Sequence, residues 1–194
     1  MTTPLPARAK PLRPGDPPRI GAYTVIGFLG KGGMGVVYLG RGLNGQLVAI
    51  KVVRAEFARV PEFRARFRRE AHSAMRVPRF CTAEVVAADP DAAEPYLVTE
   101  YIDGPTLDEA VRSGGPLKRA ELDQLGVSMA AALTGIHAAG VVHRDLKPAN
   151  VLLSRMGPRV IDFGIANAVD AVRLTAEGQT LGTPAYMAPD QMRG

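Results

Sequence analysis

The chain has 194 residues, 46% of them hydrophobic, with 24 Lys plus Arg against 19 Asp plus Glu, enough for one or two ordinary domains and too apolar for a wholly disordered chain. Cys81 is the only cysteine, which excludes an internal disulfide and a CxxC zinc site and makes a reducing cytosol the expected compartment. The net charge of +5 divides into +11 over residues 1–80 and −6 over residues 81–194, and eight arginines between Arg54 and Arg79 lack the interleaved aromatics that stack bases, so a solvated helix face is expected and not a nucleic-acid surface.

Residues 1–19 hold six prolines and four basic residues with almost nothing apolar to bury, which predicts a disordered arm; they also lack the apolar core of a signal peptide. From Tyr23 the composition changes. Tyr23–Leu29, Val36–Leu39 and Leu47–Val53 read as strands, the first two joined by glycines and the last two by a turn at Asn44-Gly45. Phe63, Phe67, Glu70 and Ala74 share one face of a predicted helix. Two further strands follow, Glu84–Ala88 and Tyr96–Tyr101, separated by the turn-forming Asp89–Pro95. Past Gly104-Pro105 a short helix is expected over Leu107–Arg112. A long one then carries Leu122, Leu125, Met129, Leu133 and Ile136 in register. Thr134, Gly135 and His137 interrupt the most apolar stretch, so no membrane span is expected. A strand over Val151–Ser154 and a turn at Gly157-Pro158 complete the pattern. A strand-rich first half joined to a helical second half predicts an α+β chain in two lobes.

Gly30-Lys31-Gly32-Gly33-Met34-Gly35 matches GxGxxG. In a dinucleotide-binding turn a helix follows the last glycine, whereas here the chain continues as strand, so the glycines sit in a hairpin. Without a Cβ, such a loop lets backbone amides approach phosphates; alternatively it is only a flexible hairpin tip. Lys51, in Val48-Ala49-Ile50-Lys51, can face that loop from the next strand, although strand lysines are usually solvated. Glu70 lies on the apolar helix stripe and therefore needs a cation, which makes it the expected partner of Lys51.

His143-Arg144-Asp145-Leu146-Lys147-Pro148-Ala149-Asn150, Asp162-Phe163-Gly164 and Gly182-Thr183-Pro184-Ala185-Tyr186-Met187-Ala188-Pro189-Asp190 follow in order. With these motifs the sequence resembles the bacterial eukaryotic-like (Hanks-type) Ser/Thr protein kinases, from about Tyr23 to the last residue. The resemblance implies a two-lobed protein-kinase-like fold, with an antiparallel-sheet upper lobe and hinge over 20–102 and a partial helical lower lobe over 103–194. It implies transfer of the ATP γ-phosphate to Ser or Thr hydroxyls of proteins, with Mg2+ (or Mn2+) as cofactor and activation-loop autophosphorylation, for which a homodimer is the expected arrangement. Leu29 and the loop from Gly30 to Gly35 would cover the nucleotide, with Lys51, held by Glu70, on its α and β phosphates. Val37, Ala49 and Leu152 would sandwich the adenine, backbone groups of Glu100 and Ile102 would bond its edge, and Thr99 would be the gatekeeper. Asn150 and Asp162 would hold the metal, Asp145 would orient the substrate hydroxyl and accept its proton, and Lys147 would neutralise the γ-phosphate. Arg144 would pair with a phosphate on the segment Ile165–Met187, for which Thr175 and Thr180 are the expected sites, Thr183 being expected to pack near Asp145.

Two departures stand out. Asp190 replaces the glutamate of the family's Ala-Pro-Glu motif, and the sequence stops at Gly194 directly after it. The resemblance implies further lower-lobe helices that are expected to be missing, leaving apolar surface of the long helix exposed. The alternative function is therefore a truncated fragment that binds nucleotide or a partner without turnover. A cytoplasmic location is expected, with any membrane anchor lying beyond residue 194 in a full-length form.

Overall fold

The computed structural model describes residues 4–80, 82–162 and 184–190. β-branched and aromatic residues build a six-stranded antiparallel sheet from β1 (Arg19–Ile20), β2 (Tyr23–Lys31), β3 (Gly35–Arg41), β4 (Leu47–Val53), β5 (Val85–Asp89) and β6 (Tyr96–Glu100). The strand order is β1-β2-β3-β4-β6-β5. In register, Val37 opposes Lys51, and Ala49 lies between Leu39 and Thr99. Because side chains alternate along a strand, Val37, Ala49, Lys51 and Thr99 share one face of the sheet. The opposite face carries the core cluster of Val25, Phe28, Tyr38, Val48, Ile50, Val52 and Val98.

On the Lys51 face lie α1 (Ala55–Ala58) and α2 (Pro61–Ala74). Pro61 sits where a helix has no use for its first N–H, and Phe57, Phe63, Phe67 and Ala71 bury against Val53 and Leu97. The Phe57–Phe63 and Phe63–Phe67 rings stack with centroids 5.8 and 6.0 Å apart. Two arginines of α2 depart from the expected solvated face. Arg64 donates to the carbonyls of Ala58, Pro90, Ala92 and Ala93, and Arg68 pairs with Asp91. These contacts hold the β5–β6 turn, whose backbone acceptors would otherwise be left to water.

The second half contains α3 (Leu107–Gly114), α4 (Arg119–Ala138) and the hairpin of β7 (Val151–Ser154) and β8 (Gly157–Val160). A reciprocal cap starts α3: Glu109 N donates to Thr106 Oγ1 (3.0 Å) and Thr106 N to Glu109 Oε2 (2.8 Å). Ala132, Ile136, Val141 and Val160 pack with Ala74 and Val77, so the end of α2 shares a core with α4 and β8. Toward the start of α4, Leu122 and Val127 are 51% and 73% exposed. No helix among the described residues is long and apolar enough to cross a membrane.

The structure departs from two sequence expectations here. Gly157-Pro158 is not a turn but the start of β8, paired with Leu153 and Ser154; the turn is made by Arg155 and Met156. Pro158 is tolerated because it begins an edge strand. The N-terminal arm, expected to be disordered, lies along the outer edge of β2. Lys10 and Phe28 exchange two backbone hydrogen bonds of 2.8 Å each, and Val25 N donates to Pro18 O at 3.0 Å. An unpaired strand edge offers donors and acceptors to any extended segment, and that local gain outweighs the arm's poor apolar content.

Phe67 is 1% exposed and central to the ring stack. Phe67→Ala is expected to destabilise the chain by about 3–5 kcal/mol, read as a lowered urea midpoint with an unchanged m-value.

Candidate active site

The glycine hairpin is held from below. A Cβ on Gly35 would stand 1.9 Å from the Val52 carbonyl oxygen, so only glycine lets β3 approach β4 this closely. At the tip Gly32 N donates to Gly35 O (2.9 Å). Arg54, just past β4, donates Nη2 to Gly32 O (2.9 Å) and its backbone N to Met34 O (3.0 Å). Gly30, Gly32 and Gly33 face open space, where a Cβ would meet nothing within 4 Å, and Lys31 is exposed.

Below the hairpin, the pleat brings Val37, Ala49, Lys51 and Thr99 to the same side, all half-buried. Leu152 lies on β7. It is 4% exposed, packs with Ile102 and Ala83, and bridges to Thr106, while Leu153 N donates to Pro105 O at 2.8 Å. Glu100 ends β6 and Ile102 lies just past it, on the way into the second half, with Leu29 near the end of β2.

Lys51 Nζ lies 3.2 Å from Asp162 Oδ1. The ion pair seen for Lys51 thus differs from the expected one with Glu70, which lies half-buried on α2 with its Oε2 sheltered from solvent. Lys51 on β4 and Asp162, two residues past the end of β8, are direct Coulomb partners at 3.2 Å.

The loop from His143 to Asn150 is fixed by its own polar groups. Asp145 accepts from Lys147 Nζ at 2.8 Å on Oδ2 and 3.0 Å on Oδ1. Asn150 Nδ2 donates to Asp145 O at 2.7 Å and to its Oδ2 at 3.1 Å, so the carboxylate cannot rotate freely. His143 is 2% exposed; its Nε2–H donates to Ile161 O at 3.1 Å and its Nδ1 accepts from Asp145 N at 3.4 Å. One imidazole therefore joins the backbone of Asp145 to the strand that leads into Asp162. Burial is the leading cause that pushes its pKa below 6.5. Arg144 and Asp162 both have left-handed backbones, at φ 60° and 59°, a strain of about 1–3 kcal/mol each that clusters where charged groups are aimed. Arg144 is exposed. Thr175, Thr180 and Thr183 lie outside the described residues.

Sequence reasoning missed Arg54 and Arg159. On β8, Arg159 donates Nη2 to Arg79 O (2.7 Å) and Thr82 O (2.9 Å), and pairs with Glu100. It clamps the loop after α2 and the end of β6 onto the strand opposite Leu152. No local signal marks such a residue, since its partners lie 59 to 80 positions away.

The described site thus sets a glycine hairpin and Lys51 on one side against Asp145, Lys147, Asn150 and Asp162 on the other. The family model described as protein kinase domain matches residues 23–194, and the chain belongs to the protein kinase family. It is 53% identical over 178 residues to the serine/threonine-protein kinase AfsK of Streptomyces griseus, covering 92% of this chain and 22% of AfsK. It is 48% identical over 185 residues to the probable serine/threonine-protein kinase PkwA of Thermomonospora curvata, covering 95% of this chain and 25% of that protein. The chain thus spans about a quarter of the length of these relatives. The crystal structure of the PknI kinase domain of Mycobacterium tuberculosis superposes with a TM-score of 0.67 at 34% identity, over 75% of this chain and 59% of that one. The fold is accordingly the α+β protein kinase fold.

Two outcomes follow from the buried contacts. Burial holds the His143 pKa of the folded chain below its ordinary value of about 6.5, so the unfolded chain takes up a proton there first and the contribution of His143 to stability is lost as pH falls below that value. Thermal unfolding between pH 7 and pH 5 should therefore show a steeper fall for the parent chain than for His143→Gln. Arg159→Met leaves the Arg79 and Thr82 carbonyls without that donor and should cost about 1–3 kcal/mol by denaturant titration, with Arg159→Lys recovering only part because an ammonium lacks the planar fork.

Proposed function

We propose that the chain is the nucleotide-binding and catalytic part of a Ser/Thr protein kinase that transfers the γ-phosphate of ATP to protein hydroxyls. The observation that carries this reading is the linked set of Lys51 against Asp162 and of Asp145 against Lys147 and Asn150, tied together through His143 and Ile161. Phosphoryl transfer asks a protein mainly to place two oxygens in line and to stabilise charge. The roles of these side chains follow from their chemistry. Lys51 binds phosphate oxygens beneath the glycine hairpin, and the exposed Gly32 and Gly33 allow close approach of that loop to the phosphates. Asp145, oriented by two donors, holds the acceptor hydroxyl and takes its proton. Lys147, already 2.8 Å from Asp145, places positive charge where the transferred group meets the hydroxyl.

A divalent metal fits the donor set. Asp162 offers a carboxylate, and Asn150 uses its Nδ2 on Asp145, so its amide oxygen is not engaged in that contact. Both are hard oxygen ligands suited to Mg2+, with Mn2+ as a substitute. Bound there, the ion would neutralise phosphate charge and orient the triphosphate. Adenine fits between Val37 and Ala49 above and Leu152 below, with Thr99 behind and backbone groups of Glu100 and Ile102 at its edge. A phosphate on Thr175 or Thr180, placed by a second copy of the chain, would find Arg144 exposed beside Asp145. The names of AfsK and PkwA support Ser/Thr as acceptors.

Transfer of radiolabelled γ-phosphate to a protein acceptor tests the reading. Asp145→Asn should lower the rate by about 10²–10⁴ with nucleotide affinity retained, whereas Lys51→Met should weaken nucleotide binding as well. Undiminished transfer by Asp145→Asn would remove Asp145 from the role of base. Binding of MgATP without any transfer by the parent chain would favour the nucleotide-binding fragment instead.

A further inference from the structure

The arm preceding β1 is the part of the chain whose structure least follows from its composition, and it contacts both halves of the molecule. On the sheet side, Lys10 and Phe28 form a full antiparallel pair. The Arg13 guanidinium lies 4.0 Å above the Phe28 ring, and Tyr38 donates its hydroxyl to Asp16 Oδ1 at 3.0 Å. Asp16 Oδ2 accepts from Arg13 N at 2.7 Å and closes the turn between these anchors. Gly27 lies under the arm: a Cβ there would meet Ala9 Cβ and Lys10 O at 3.3 Å. On the other side, Arg8 Nε lies 3.5 Å from Glu109 Oε2, the carboxylate that caps α3. The arm therefore bridges the base of the glycine hairpin and the first helix beyond Gly104.

A cavity of about 490 Å³ opens beside this bridge, and its lining combines Arg8 and Lys10 of the arm with Leu29, Asp103, Gly104 and Glu109. Leu29 begins the glycine hairpin, and Asp103 directly follows Ile102. The arm thus forms one wall of a cavity that adjoins the base of the hairpin and the segment after Ile102.

We infer that residues 5–16 are a strap across the outer mouth of the nucleotide cleft, anchored on β2 by Lys10 and latched to α3 by Arg8, and that this latch slows nucleotide release. The inference rests on the reading of the cleft as a nucleotide site. Its physical basis is that departure of a nucleotide through this side requires the hairpin and α3 to separate, and the strap couples the two. The latch itself is half-exposed, with side chains 28% and 51% accessible. Exposed pairs of this kind give effects of about 0.2–1 kcal/mol, so the expected change in release rate is about 1.4- to 5-fold and is sensitive to salt.

Stopped-flow release of a fluorescent ADP analogue from the 194-residue chain tests this. Arg8→Glu, which repels Glu109, is expected to speed release by about two- to five-fold at low salt. Arg8→Lys is expected to release at close to the parent rate, and added salt to move the parent rate toward that of Arg8→Glu. Equal release rates for the parent chain and Arg8→Glu at low salt would overturn the latch. The strap can also be read without nucleotide, by hydrogen exchange. Lys10→Pro removes the N–H that bonds Phe28 O and should raise exchange at Phe28 and over 103–109. Unchanged exchange at both places would overturn the strap even if nucleotide binds. Parent chains that bind no nucleotide while Lys10→Pro still loosens both places would sustain the strap and instead defeat the reading of the cleft.

Discussion

The position of one short strand governs the site. Arg159, Val160, Ile161 and Asp162 are consecutive, yet they reach four different parts of the molecule. Arg159 grips the loop at 79–82 and Glu100; Val160 is fully buried between Ala132, Ile136 and Ala74. Ile161 donates its N–H to Asn150 O at 3.0 Å and accepts from His143, and Asp162 meets Lys51. Alternation along a strand sends neighbouring side chains to opposite faces, so a single extended run can serve both the core and the cleft. A register slip of one residue would turn Val160 toward the cleft and Arg159 into the core. The parallel bridge from Thr82 to Val160 and the four-residue pairing with β7 oppose that slip.

Fixing β8 also explains why the charged groups are arranged in pairs. Asp162 is met by Lys51 of β4 and Asp145 by Lys147, two residues on in its own loop. Such pairs hold their geometry only when the backbone behind them is rigid. Here that rigidity comes from neutral groups: a buried imidazole, an amide and several main-chain carbonyls. Because the imidazole is pushed below its usual pKa, it bonds as a neutral donor and acceptor and adds no charge of its own.

Much of this was legible in the sequence wherever the relevant residues lie close together along the chain. The strands over Leu47–Val53 and Val151–Ser154, the buried face of α2 and the set from Asp145 to Asn150 are short-range patterns, fixed by side-chain alternation, helical spacing or motif. Arg54, Arg64 and Arg159 were not legible as structural residues, because a guanidinium that satisfies remote carbonyls has the same local signature as a solvated one. Gly157-Pro158 misled for a related reason: the dipeptide usually marks a turn, but pairing with Leu153 and Ser154 at a sheet edge costs Pro158 no needed donor. The contact of Lys51 with Asp162 was not legible either: the helix stripe pointed to Glu70 as the partner of Lys51, and Asp162 lies 111 positions away along the chain.

The arm gives the sharpest contrast between composition and structure. Low apolar content predicts disorder when a segment must build its own core, but residues 5–18 add themselves to a sheet that is already formed. Prolines restrict the unbound arm to extended conformations and lower the entropy lost when it docks. They also leave few backbone N–H groups to satisfy. The one full pair needed at Phe28 falls on Lys10, a residue that retains its N–H between Ala9 and Pro11. Tyr38 is consistent with firm docking, since burial and the nearby Asp16 carboxylate push its phenol up to about 12 and keep the hydroxyl proton in the bond to Asp16. The basic residues that gave the first 80 positions their +11 charge thus include several with defined carbonyl, ring or carboxylate partners.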